Sequence, residues 1–222
     1  MSNLSKTNFS TKSFSSNKDD IKECWDEFLS IRVKKTAVSN FLWEIINQSN
    51  GQILYTDFRL GTNIDRRLYS PIINGSCRPS HETLEKLSVS KIFTPIQRQV
   101  LLDFSNPERA NTLITLILEQ NFACTQTNEK LIRREIQNEA LISSAELKKI
   151  LRGALCGYRT VLKLCFGLHC SITQSEELLA AYGFCWQTNE KSLFLRHELS
   201  LKRFKAIDVL CDWETYTRKC AA

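Results

Sequence analysis

Apolar residues recur at helical spacing along most of this chain. Cys24, Trp25, Phe28 and Leu29 share one face after Ile21, and Val38, Phe41, Leu42, Ile45 and Ile46 line a second stripe that ends at the polar run before Gly51. Helical spacing continues from Phe58 to Ile73, interrupted near Gly61, and Asn74-Gly75 is the stop signal. Ser80 is placed to cap a helix carrying Leu84 and Leu87. Thr94-Pro95 opens another with Ile96, Val100 and Leu101 expected inward. Asn106-Pro107 repeats that start, and a strong helix with Leu113, Leu116, Ile117 and Leu118 follows. Shorter helices are expected from Asn128 to Gln137, Ser144 to Arg152 and Tyr158 to Leu168. Thr173 and Glu176 have the spacing of a capping box for a helix that Gly183 closes. Asn189 caps a final stretch reaching Leu210. No segment alternates with period two, so the expected fold class is all-α.

Composition agrees with that pattern. Only 7 Gly and 4 Pro punctuate 222 residues, well under the usual share of breakers. Residues 1–18, rich in Ser, Asn, Thr and Lys, cannot bury a core and read as a mobile polar tail. A natural boundary near residue 105 then gives a helical domain over 19–105 and a second over 106–222. The longest aliphatic run, Leu113 to Leu118, is far short of a membrane span, and no apolar leader opens the chain. Together with nine irregularly spaced cysteines, this predicts a cytoplasmic protein with reduced thiols and no membrane partner.

Candidate chemistry is sparse. The cysteines form no C-x-x-C pair, and Cys165, His169 and Cys170 lack a nearby fourth ligand, so no metal and no other cofactor is expected. His197-Glu198 could pair for acid–base work, but no nucleophile, phosphate-loop or dinucleotide motif accompanies it, and the sequence predicts no enzyme. Arg133-Arg134 and the Lys202-Arg203-Lys205 cluster read as solvated helix faces. The net charge of +6 permits nucleic-acid binding without requiring it.

A weak internal repeat changes the picture. Ile64, Tyr69, Ile72 and Gly75 recur as Ile142, Leu147, Ile150 and Gly153. Thr83, Lys86 and Leu87 recur as Thr160, Lys163 and Leu164, and Gln97, Leu101 and Leu102 as Gln174, Leu178 and Leu179.

The first copy carries Asn74-Gly75, then Pro79-Ser80, then Thr83-Leu84-Glu85-Lys86-Leu87. This run resembles the Cro and lambda-repressor class of helix-turn-helix domains, in which a recognition helix ends at a short Asn-Gly loop before a Pro-Ser-capped helix. The resemblance spans roughly residues 38–104 and, more faintly, 107–182. It implies tandem helix-turn-helix domains and a DNA-binding transcriptional regulator with double-stranded DNA as partner. In the first copy it points to Arg66, Arg67, Tyr69, Ser70 and Asn74 as groove-facing residues, with Arg78 holding a phosphate; Arg to guanine is the commonest specific contact. In the second copy the matching positions are Ser143, Ser144, Lys148, Lys149 and Arg152. Pro71 lies inside the first recognition helix and is expected to shorten or kink it. Asp65 at its start suits the helix dipole but repels phosphate. Those two residues and the modest charge favour the other reading, a non-catalytic effector or inhibitor that uses the same helical fold to bind a protein, or a second copy of itself.

Overall fold

The computed structural model describes residues 18–54, 56–123 and 128–221, without the side chains of Arg59, Arg66 and Ala221. The predicted tail lies outside these residues except for Lys18, which begins the first helix. The chain is all-α. Its helices run α1 Lys18–Phe28, α2 Ala37–Gln48, α3 Arg66–Ile73, α4 His81–Ser88, α5 Pro95–Asp103, α6 Pro107–Phe122, α7 Glu129–Ala140, α8 Ser144–Ile150, α9 Tyr158–Gly167, α10 Ile172–Ala181, α11 Glu190–Ser200 and α12 Ala206–Ala221. Among the described residues there is no strand, only an isolated antiparallel bridge between Thr36 and Phe184.

Polar caps set most of the boundaries. Thr94 and Ser171 each accept the N–H of a Gln three residues on, whose side-chain oxygen accepts the cap's own N–H. That reciprocal pair satisfies two otherwise orphaned donors, and it starts α10 two residues earlier than the Thr173-Glu176 spacing implied. Asn106 and Asn189 cap α6 and α11. The predicted final stretch is two helices, because Lys202 adopts φ 57° and turns the chain between α11 and α12.

Two hydrophobic cores form. The smaller joins α2 to α5 around Leu42, Phe58, Ile72, Leu84 and Leu101. The larger joins α6 to α12 around Ile136, Leu164, Phe166, Leu178 and Leu199. Helix α1 packs in the larger core, across the expected boundary near residue 105. Trp25 meets Phe166 edge-on at 5.4 Å, and Phe28 meets Trp213 at 5.3 Å. On α5 only Leu101 is buried; Ile96 and Val100, expected inward, face out.

The internal repeat is present in the helices themselves. Helices α4 and α9 start 77 residues apart, as do α5 and α10, and the caps Thr94 and Ser171 keep the same spacing. The buried pairs Leu84 and Val161, Leu87 and Leu164, and Leu101 and Leu178 follow it too. The copies differ before their third helix: the first has only a 3-10 turn at Asp57–Arg59 where the second has the whole of α7.

A polar seam joins the two cores. Ala37 N–H donates to Gly183 O at 3.3 Å and Asn106 N–H to Ala181 O at 3.0 Å. The Gln187 side chain accepts the N–H groups of Lys34 and Lys35 at 2.9 and 3.2 Å and donates to Lys35 O at 3.0 Å. Gly183, at φ +78°, has no room for a Cβ, which would collide with Ser105 and Arg78.

Candidate nucleic-acid interface

The most regular surface motif is in the second copy. Helix α7 buries Ile132, Ile136 and Ala140 along one stripe. Gly167 of α9 makes that crossing tight, since a Cβ there would sit 2.6 Å from the Ala140 Cβ. Leu141 then turns the chain at φ 52°, and Ser143 caps α8. Thus two helices are joined through Leu141, Ile142 and Ser143 alone, within the short-turn range of helix–turn–helix units. The nearly buried Lys163 of α9 fixes the turn, donating to Leu141 O at 3.3 Å while pairing with Asp26 of α1 at 2.6 Å.

Helix α8 buries Leu147 and Ile150. That register leaves Ser144, Lys148 and Lys149 on the outer face with Arg152 just beyond, and Lys130 and Arg134 are exposed on α7. Ser143 is not a free reader. Its hydroxyl accepts the Glu146 N–H at 3.2 Å and donates to the Glu146 carboxylate at 3.0 Å. Glu146 is the one acidic side chain on this face of α8.

In the first copy Asp65 caps α3 by accepting the Arg67 N–H at 2.8 Å. The helix runs through Pro71 and ends two residues later, with Ser76 and Cys77 donating to Pro71 O. Arg67, Ser70 and Asn74 are exposed. Asn74 caps the end of the helix and its amide reaches the Ser70 hydroxyl at 3.4 Å. The backbone of Arg66 opens α3, while its side chain lies outside those described.

Two expected readers are displaced. Tyr69 is 5% exposed, because Tyr69, Ile72 and Ile73 form the buried stripe, while the neighbouring Leu68 is 44% exposed. Arg78 points into the seam. Its Nη1 donates to Cys156 O at 2.9 Å and to Tyr182 O at 3.1 Å, and the guanidinium lies 4.9 Å from the Phe184 ring centre. Both carbonyls belong to the second copy, 78 and 104 residues away, so sequence proximity to α3 gave no sign of this role.

The other candidates resolve in the same way. Arg133 pairs with Glu129, and Arg203 with Asp212 and Glu198. Glu198 is buried with its carboxylate facing Arg203, while His197 is exposed. Cys165 and Cys170 are fully buried, and the hydrogen bond between their side chains together with burial pushes the Cys165 thiol upward. Burial also raises Cys156 to about 12, so these sulfurs serve as small hydrophobes. His169 turns away from both cysteines toward Glu139. The i,i+4 pair of Glu135 and Glu139 was visible in the sequence, but their meeting with His169, 30 residues beyond Glu139, was not. No helix among the described residues is long and apolar enough to cross a membrane. No protein-family model, curated protein or solved structure matches this chain.

Proposed function

We propose that the chain is a DNA-binding regulator that presents α8 of its second repeat to the major groove, with α7 against the backbone. The observation that carries this reading is the α7–turn–α8 unit with Ser144, Lys148, Lys149 and Arg152 on its outer face. Lysine and arginine on such a face neutralise phosphates, while the few side chains reaching base edges set the sequence preference. Tandem helix-turn-helix architecture is part of this proposal, with the first copy as the divergent member: its second helix is reduced to a 3-10 turn.

The first copy fits a different role. Leu54, Leu60 and Leu68 are 58, 64 and 44% exposed around α3, where a DNA-reading surface would carry polar groups. Exposed apolar side chains at that place favour a protein contact, to a partner or to a second copy of the chain. The test is enrichment of bound duplexes from a random-sequence pool by the full chain. One shared motif, lost in Lys148→Ala/Lys149→Ala and kept in Arg67→Ala, supports the α8 reading. Loss in Arg67→Ala alone returns the reading to α3, and no enrichment favours the protein-binding role.

A further inference from the structure

Flanking the core stripe of α7, Glu135 and Glu139 lie one turn apart, and His169 reaches them from the turn between α9 and α10. One ligand atom from each lies within 4.8 Å of the others. Nε2 of His169 contacts the Glu139 carboxylate. The imidazole is fixed between two rings, Phe204 at 4.3 Å and 12° and Phe122 at 4.8 Å and 35°. Its backbone is fixed as well, since the Asn121 amide donates to Leu168 O at 2.8 Å and to His169 O at 3.0 Å. Glu135 has no hydrogen bond or ion pair among the described residues. Like charges at this spacing repel across the helix surface, and a divalent cation between them offsets both.

We propose that Glu135, Glu139 and His169 form a binding site for a divalent first-row cation, with two carboxylate oxygens and one imidazole nitrogen as ligands. That donor set suits manganese or zinc, and three protein ligands leave open positions for water. An ion with ligand distances near 2.0–2.2 Å takes the place of the direct His169–Glu139 contact, which must open to admit it, and the exposed Glu135 side chain is free to swing in. Arg134 and Lys205 line the same groove. They lower the cation affinity and suit the open positions to a small anion. This site does not depend on the DNA-binding reading.

Mn2+ is the probe, because the chain's cysteines are soft ligands that compete for zinc far better than for manganese. Binding to the full chain is counted by electron paramagnetic resonance, and relaxation of the histidine ring signals locates the ion. The expected result is one Mn2+ per chain with broadening of His169 ahead of His81 and His197. Glu135→Gln should weaken binding at least tenfold with an unchanged circular-dichroism spectrum, since Glu135 supports no contact in the fold. Glu119→Gln, an exposed acid elsewhere, should leave binding as it is. No binding by the natural sequence at millimolar Mn2+ overturns the site. So do equal losses in the Glu135 and Glu119 variants, which would mark a cation held only by surface charge.

Discussion

Replacing Arg78 by Ala separates an anchor of the seam from a phosphate ligand. The substitution removes two hydrogen bonds from a charged donor, at 2.9 and 3.1 Å, and a cation over the Phe184 ring. A hydrogen bond from a charged group contributes about 1.5–3 kcal/mol, and a cation–π contact about 0.5–2 kcal/mol. Arg78 is only half-buried, so water replaces part of what is lost, and the net cost is expected near 3 kcal/mol. In a chain of this size each kcal/mol moves Tm by about 2–4 °C, a fall of about 6–12 °C. Thermal unfolding followed by circular dichroism reads this directly. Arg78→Lys should fall in between, because an ammonium cannot reproduce the planar fork that reaches both carbonyls. A Tm unchanged in Arg78→Ala, together with a salt dependence of DNA affinity shallower by about 0.9, would refute the seam role and restore Arg78 as a phosphate contact.

Three further substitutions probe the elements that hold the α7–α8 unit and its surroundings. Gly167→Ala forces a methyl against Ala140 and Ile136 and should cost about 1–3 kcal/mol in urea unfolding. Lys163→Met keeps the volume but removes the donor to Leu141 O and leaves Asp26 to Arg159 at 3.9 Å; because Asp26 is also one-third exposed, a loss of about 2 kcal/mol is expected rather than the ~3–5 kcal/mol of a fully buried pair. Glu198 is pushed above the usual carboxylate range, first by burial and further by Asp212, against the lowering effect of Arg203. With the folded value above the unfolded one, its contribution is present at low pH and lost as pH rises through the folded value. Glu198→Gln should therefore gain stability over the natural sequence as pH rises above the ordinary glutamate value of about 4.3 in unfolding titrations; a difference that stays flat or runs the other way contradicts the burial argument.

Elements with local causes were readable from the residues. Thr94-Pro95, Asn106-Pro107 and Asn189 cap where their chemistry places them, and Gly75 takes the left-handed φ of +73° that an Asn-Gly stop requires. The repeat was visible in a handful of identities and is matched by the spacing of α4 with α9 and of α5 with α10. What the residues did not show was set by long-range packing. Helix α3 has eight residues, too few for periodicity to decide between Leu68 and Tyr69 as the inward position. Helix α1 precedes the first copy but packs on Phe166 and Trp213, far along the chain. Ile96 and Val100 have the spacing of a buried stripe, yet α5 is covered only on the Leu101 side. The candidate DNA surface shifted for a related reason. The sequence motif is stronger in the first copy, whereas two full helices joined by a three-residue turn are in the second.

The measurement closest to the central claim is the salt dependence of affinity for a duplex selected by the full chain, compared between the natural sequence and Lys148→Ala/Lys149→Ala. If both lysines neutralise phosphates, the slope of log K against log salt becomes shallower by about 1.8, or 0.9 for each lost contact. Equal slopes in the two proteins would show that α8 does not lie on DNA.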